Sequence, residues 1–348
     1  MTSISFVFES ILLSSLLVVV FVKVSIRLAR RVGLLDIPNS EPHKQHTSPT
    51  PLAGGLVLVI ALVLSGVVFR TYLSADVVSI FLSCLIIFGF GLWDDIKRIS
   101  PLIKLTGQIL AVVLMIRLGV SIRIFESPEF FLGGTGPAVI YLDWLLTILW
   151  VVGITNAFNF VDSMDGLAVG LGGTAAAFFM LVTLDARQPI LSRESALILG
   201  VCIGLYFFNA FPAQLFLGDS GAQTLGFILA GLAIAYTPKG ANQSSSWFVP
   251  IMLLGVPIFD TTLVILSRFR RKRPIYTAAL DHTYHRLLSF GWNSTRAVLM
   301  MQVTALLLGC MAFLVLTQPP WMANGVFIAM LICGVLAFLY LDNKKRWP

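Results

Sequence analysis

Long apolar runs alternate with short polar connections along the whole chain. A helix needs roughly 17–25 apolar residues to cross about 30 Å of hydrocarbon. Eleven segments approach that length: residues 3–26, 52–70, 77–93, 101–118, 138–157, 166–184, 194–211, 221–237, 247–267, 297–316 and 322–341. The connections are too short for a separate domain, so the pattern predicts one all-α bundle over 1–348, a polytopic membrane protein of about eleven transmembrane helices. Composition agrees, with 57% hydrophobic residues, 12% charged residues and a mean hydropathy of +0.90. The first run lacks a basic leader and ends at Arg27, Arg30 and Arg31 instead of a small-residue cleavage site, which reads as a retained span, not a signal peptide.

Charge orients the bundle. With the N-terminus outside, the inner connections and flanks hold 17 bases: Arg27, Arg30, Arg31, Lys44, Lys97, Arg98, Lys104, Arg268, Arg270, Arg271, Lys272, Arg273, Arg286, Arg296, Lys344, Lys345 and Arg346. The outer side holds 6: Arg70, Arg117, Arg123, Arg187, Arg193 and Lys239. Such a bias marks the cytoplasmic face. The net charge of +7 therefore describes a surface resting against the membrane. No interleaving of aromatic and basic residues suggests a nucleic-acid partner.

Three cytoplasmic connections break the rule. Asn156-Ala-Phe-Asn159-Phe-Val-Asp162-Ser-Met-Asp165-Gly and Phe211-Pro-Ala-Gln-Leu-Phe-Leu-Gly-Asp219-Ser-Gly hold carboxylates and no base, and Trp93-Asp94-Asp95-Ile96-Lys97 opens on two adjacent acids. Asp94 and Asp95 could end a helix and balance Lys97 and Arg98, and Asp219-Ser220 could cap a helix start. That cap geometry is also one that binds anions. Asn156, Asn159 and Asp162 are spaced by three, which places two amides and a carboxylate on one helical face. Burying them at a membrane helix end is costly without a ligand. Acids without bases at a membrane surface invite a divalent cation with a phosphorylated ligand behind it.

All four histidines fall in two other cytoplasmic connections, His43-Lys44-Gln-His46 and Asp281-His282-Thr-Tyr284-His285-Arg286. Lys44, His285 and Arg286 suit phosphate oxygens, while the run Arg268–Arg273 is expected to rest on anionic headgroups. Asp260 is left open between a structural and a bracing role. Cys84, Cys202, Cys310 and Cys333 lie in apolar runs without a C-x-x-C pair and are expected to be buried packing residues. No P-loop, G-x-S-x-G elbow or H-E-x-x-H is present, which removes the signatures of nucleotide-driven pumping, acyl transfer and zinc proteolysis. Carboxylates for a hard cation, bases for phosphates and a floor in the bilayer together suggest phosphoryl transfer from a soluble nucleotide donor to a lipid acceptor.

The ordered set resembles the polyprenyl-phosphate N-acetylhexosamine-1-phosphate transferases. The resemblance spans roughly residues 40–290: the His43-Lys44-x-His46…Gly54-Gly55 loop, Asp94-Asp95 with Lys104 and Gln108, Asn156-x-x-Asn159-Phe-x-Asp162-x-x-Asp165-Gly-Leu-Ala, Phe216-Leu-Gly-Asp219-Ser-Gly, and His282-x-x-His285-Arg286-Leu. It implies Mg²⁺-dependent transfer (Mn²⁺ substituting) of a HexNAc-1-phosphate, GlcNAc-1-phosphate first, from a UDP-sugar to undecaprenyl or another polyprenyl phosphate in the cell membrane. UMP leaves, on the cytoplasmic face. It also implies that Asp219 is the principal metal ligand with Asn159 near the metal, that Asp94 and Asp95 serve the nucleophile, and that Asn156, Asp162 and Asp165 help shape the nucleotide pocket. His282, His285 and Arg286 would hold phosphates and Lys44 the lipid phosphate. The catalytic connections are then about 27–52, 93–101, 156–166, 211–221 and 268–296, and a homodimer is left open.

Three positions depart from the family pattern: Ser163 replaces a usual glycine, Ala222 a usual serine, and Tyr284 the middle histidine of the last motif. They bear on sugar preference and phosphate grip. The His285-Arg286 pair favours the GlcNAc-1-phosphate branch over the phospho-MurNAc-pentapeptide branch. A transporter or channel is the rival from another class, but its acids should lie near mid-membrane on broken helices with repeat symmetry, whereas these gather at one surface.

The orientation is directly testable. Single cysteines at Asn242 and Asp281 are expected to react with an impermeant thiol reagent from opposite sides of sealed vesicles; labelling of both from one side would refute the eleven-span arrangement.

Overall fold

Each of the eleven apolar runs folds as helix. The structure, a computed structural model, describes residues 3–38, 49–126, 136–238, 246–274 and 281–343. Among them are thirteen α-helices: α1 (Ser3–Val32), α2 (Gly54–Phe69), α3 (Ala75–Lys97), α4 (Pro101–Arg117), α5 (Pro137–Val161), α6 (Leu167–Asp185), α7 (Pro189–Asn209), α8 (Gly218–Ala235), α9 (Val249–Leu253), α10 (Gly255–Arg270), α11 (Thr283–Ser289), α12 (Ser294–Leu314) and α13 (Pro320–Leu341). Seven of these regions, beginning at α1, α3, α5, α6, α7, α12 and α13, are long and apolar enough to cross a membrane. The ninth run is split at Leu254 into α9 and α10. The protein is an all-α, multi-pass membrane protein.

Local sequence sets the helix starts. Proline occupies the first turn of α4, α5, α7 and α13, where its missing N–H costs nothing. Ser74, Ser100 and Asn293 accept hydrogen bonds from Val77, Ile103 and Arg296 N–H to cap α3, α4 and α12. Outer faces are apolar, as on α13, where Leu331, Ile332, Val335, Leu336 and Leu339 are all exposed; such a face suits lipid. Cys84 and Cys202 are buried, but Cys310 and Cys333 are exposed on α12 and α13, which corrects the expectation of four packing cysteines.

The centre of the bundle is α8, buried continuously from Ser220 to Ala233 and flanked chiefly by α3, α5 and α2. Beyond Thr224 the helix is apolar on every side, which suits such a position. Its N-terminus is locked to two neighbours. A short antiparallel pair, β1 (Leu35–Asp36) with β2 (Thr50–Pro51), leads into α2. Phe216 N–H donates to Pro51 O at 2.9 Å, and Gly54 and Gly55 N–H donate to Phe216 O and Leu217 O at 3.0 Å each. Backbones then meet directly: a Cβ on Gly55 would lie 2.6 Å from Gly221 N, and one on Gly91 of α3 would lie 2.5 Å from Ser220 Cα. The double glycine after the histidine-bearing loop thus serves a three-helix junction.

Gly91→Ala is accordingly expected to lower stability by about 1–3 kcal/mol, since the clash is with backbone. Gly89→Ala, whose Cβ meets nothing within 4 Å, is the matched control. Thermal unfolding in detergent compares them, and equal melting of the two variants would contradict the junction.

Candidate active site

The acidic residues converge at the α3–α8 junction. Asp94 and Asp95 sit in the last turn of α3, not in a loop, because the helix continues to Lys97 and closes with Arg98 N–H on Asp94 O at 2.7 Å. Asp219 likewise lies in the first turn of α8. Asp95 caps that helix from outside its own chain segment: Oδ1 accepts from Asp219 N–H at 2.8 Å and Oδ2 from Ser220 N–H at 3.1 Å. Both bonds satisfy N–H groups that the first turn leaves open, at the positive end of the helix dipole.

Lys104 joins the remaining acids. Its Nζ lies 2.6 Å from Asp94 Oδ2 and 2.6 Å from Asp219 Oδ2, while Asp94 Oδ1 accepts from Ile99 N–H at 2.8 Å. The Asn159 side chain lies beside Asp219. Behind this cluster runs a chain of amides: Gln223 Nε2 donates to Asp219 Oδ2 at 3.4 Å, Gln108 Nε2 to Gln223 Oε1 at 2.9 Å, and Asn156 Nδ2 to Gln108 Oε1 at 2.8 Å. Gln223 is a participant that the sequence motifs do not single out; its position four residues after Asp219, on the same helical face, is the signal that finds it.

The Asn156–Asp165 stretch is divided by structure. Asn156 and Asn159 belong to α5, whereas Asp162 is the residue that ends it and Asp165 lies in the following turn. The expected face of amide, amide and carboxylate is therefore bent at its last member. Burial pushes the Asp162 carboxyl well above the usual range, and the charges of Asp219, Asp95 and Asp165 add to the shift. Asp165 Oδ2 accepts from Ala213 N–H at 3.0 Å, and Asn209 Oδ1 accepts from Gly166 N–H at 3.2 Å, tying the two acidic connections together.

The basic motif is built differently from expectation. His282 immediately precedes α11, and its Nδ1 is 2.8 Å from Asp260 Oδ2; Asp260 Oδ1 accepts from Thr283 N–H at 2.6 Å and so caps the helix. Asp260 thus braces the motif. Arg286 turns inward with 0% exposure, its Nε on Asp281 O at 3.0 Å and its Nη1 on Asp342 Oδ1 at 3.0 Å and Leu341 O at 3.2 Å. The guanidinium is thus engaged from within the protein through Nε and Nη1.

The reason is Asp342, a buried carboxylate just past α13 that needs partners. It also draws Ser267 Oγ at 2.7 Å, Arg270 Nη1 at 2.6 Å and Arg271 Nη1 at 2.5 Å. Burial alone would raise its pKa, but these bonds hold it below the usual carboxylate range. Arg268 makes a bidentate pair with Asp281, 2.8 Å on each arm, and Asp281 is held low in the same way against its own burial. Three arginines expected on lipid headgroups are therefore engaged internally.

The two clusters adjoin. Phe160, one residue past Asn159, has its ring 5.9 Å from that of His282, and His285 stacks near Tyr284 at 4.0 Å. Lys44, with His43 and His46, lies outside the described residues. Among the described residues, no group of three or more His, Cys, Asp or Glu side chains is arranged to hold a metal ion. The donor set nevertheless fits Mg²⁺, which commonly takes one or two protein carboxylates and completes its shell with water and substrate phosphates. Asp219 and the neighbouring Asn159 amide offer hard oxygen donors of that kind.

Comparison with known proteins places these features in a family. Residues 77–237 match the model for Glycosyl transferase family 4. A probable undecaprenyl-phosphate N-acetylglucosaminyl 1-phosphate transferase of Bacillus subtilis is 29% identical, covering 97% of this chain and 93% of the relative. A decaprenyl-phosphate N-acetylglucosaminephosphotransferase of Mycobacterium tuberculosis is 30% identical over 91% of this chain and 84% of the relative. The Escherichia coli K12 undecaprenyl-phosphate alpha-N-acetylglucosaminyl 1-phosphate transferase is 26% identical over 92% and 86%. With the membrane bundle and the ordered motifs already in place, this coverage identifies the chain as an enzyme of glycosyl transferase family 4, in the polyprenyl-phosphate N-acetylhexosamine-1-phosphate transferase superfamily.

Proposed function

We propose that the enzyme transfers GlcNAc-1-phosphate from UDP-GlcNAc to a polyprenyl phosphate, undecaprenyl phosphate in the first instance, at the cytoplasmic face of the cell membrane. The observation that carries this reading is the Asp94–Lys104–Asp219 bridge at one end of a membrane bundle, beside the histidine-bearing α11. A lipid phosphate and a soluble diphosphate can meet only at such a boundary. The relatives named for GlcNAc-1-phosphate transfer to undecaprenyl and decaprenyl phosphate support the same chemistry.

In the transfer, an oxygen of the lipid phosphate bonds to the donor β-phosphorus. The bond from that phosphorus to the oxygen bridging to the α-phosphate breaks, and UMP leaves with the electron pair. The acceptor's second pKa is near ~6, so it is mostly dianionic at neutral pH and needs little general base. Positioning and charge neutralisation carry the rate. Asp219 and Asn159 would hold Mg²⁺, which neutralises developing phosphate charge when bound. Lys104 brings a fixed positive charge, and Asp94, bonded to it, orients the acceptor or takes its residual proton. Asp95 aims Asp219 by holding the start of α8. His282 and His285 donate to phosphate oxygens, Lys44 meets the lipid phosphate, and Asp162 and Asp165 border the nucleotide.

Asp219→Asn keeps the side-chain size and removes a charge, so turnover is expected to fall by orders of magnitude with the thermal unfolding profile retained. Mn²⁺ is expected to support activity and chelators to abolish it. Near-normal turnover in the folded variant would move the metal elsewhere.

A second reading is phospho-MurNAc-pentapeptide transfer, since a transferase of that name from Halalkalibacterium halodurans is 28% identical over 87% of this chain. A peptide-bearing donor needs a broad cytoplasmic surface. In the described parts of 268–296, the arginines Arg268, Arg270, Arg271 and Arg286 are spent on Asp281 and Asp342, which favours the smaller donor. UMP release by purified enzyme with polyprenyl phosphate is expected from UDP-GlcNAc, with UDP-GalNAc tested as a competing donor. Preference for UDP-MurNAc-pentapeptide would overturn the sugar assignment and leave the reaction class standing.

A further inference from the structure

Two of the positions that depart from the family pattern touch each other. Tyr284, only 2% exposed, donates its hydroxyl proton to Ser163 Oγ at 2.5 Å. Ser163 Oγ in turn donates to Phe160 O at 3.0 Å. The relay runs from α11, through an exposed serine, to the last turn of α5, one residue beyond Asn159 and two before Asp162. The Tyr284 ring lies parallel to His282, with centroids 5.9 Å apart and an interplanar angle of 6°, and close against His285 at 4.0 Å. Each end is anchored independently. Asp260 grips His282 and Thr283 on one side, and Asp165 grips Ala213 on the other.

We propose that Tyr284 and Ser163 form a latch that sets the gap between the acidic turn and the two histidines, making them positioning residues for the nucleotide-sugar donor. The proposal rests on the donor being bound between these clusters, as in the proposed function. The geometry favours this role over simple packing. A tyrosine hydroxyl needs a partner when buried, but this one reaches an exposed hydroxyl on a connection that carries Asp162 and Asp165. It joins α11 directly to that turn. Because both partners are short-range and neutral, the latch fixes distance without adding charge. Its loss lets the turn and α11 drift apart, which weakens a ligand that must touch both and leaves a ligand that touches only the α3–α8 junction unaffected.

Full-length enzyme in detergent tests this with Tyr284→Phe, Ser163→Ala, the double variant and Ser163→Thr, which keeps a hydroxyl. Each single removal is expected to raise the donor KM about fivefold, the effect of one hydrogen bond, with the KM for polyprenyl phosphate unchanged. The double variant is expected to match the singles, since both remove the same contact, and Ser163→Thr is expected to restore the wild-type KM. Additive single effects, an equal change in acceptor KM, or wild-type kinetics in both single variants would overturn the latch. Ser163 is exposed, so its variants report even if Tyr284→Phe folds poorly. Wild-type enzyme that releases no UMP from UDP-GlcNAc would refute the proposed donor instead, a result separable from active wild type with unchanged variants.

Discussion

The Asp95 carboxylate on the first N–H groups of α8 is the interaction on which the site depends. A helix that runs through the middle of a membrane bundle must begin somewhere, and its opening N–H groups cannot be left dry. Here the cap comes from another helix, α3, with 2.8 and 3.1 Å bonds to Asp219 and Ser220. Because the cap is a side chain of a packed span, it fixes the register of α8 against α3. Glycine at 55 and 91 then allows the backbones to close on that register. Asp219 is thereby aimed by the fold, with its side chain turned to Lys104 and Asn159.

Charge within the cluster is balanced by the same economy. Asp94, Asp95, Asp162 and Asp219 would repel one another in a low-dielectric setting. The helix dipole answers Asp95, and Lys104 answers Asp94 and Asp219 together. Among the described residues Asp162 has no such basic partner, and its carboxyl is pushed up by burial and by its neighbours.

Much of this was legible in the sequence, and the limits have physical causes. Run length gave the helices because a membrane span must be long and apolar, and the site at Asp219 and Asn159 was signalled by polar connections that had no local base. The break at Leu254 and the turn at Asp162 were not legible, since helix ends are set by packing within a residue or two. The pairing of Arg286 with Asp342 was not legible, because Asp342 lies beyond the motif and looks like an ordinary helix-end carboxylate. Only the fold brings the end of α13 beneath α11. Asp260 stayed ambiguous for the same reason: its partners, His282 and Thr283, are remote in sequence.

The two halves of the site differ in how they are held, and that difference bears on catalysis. The acidic half is carried by ends of packed helices joined backbone to backbone, so its groups are preorganised. The basic half is a seven-residue helix fixed by the carboxylates of Asp260 and Asp342 and by the backbone carbonyl of Asp281. Asp260 and Asp342 use their charge for positioning, Asp260 through His282 and Thr283 and Asp342 through Arg286. Preorganised charge does most for phosphoryl transfer when it need not move as the reaction proceeds. A rigid acidic floor with an independently anchored basic wall meets that requirement.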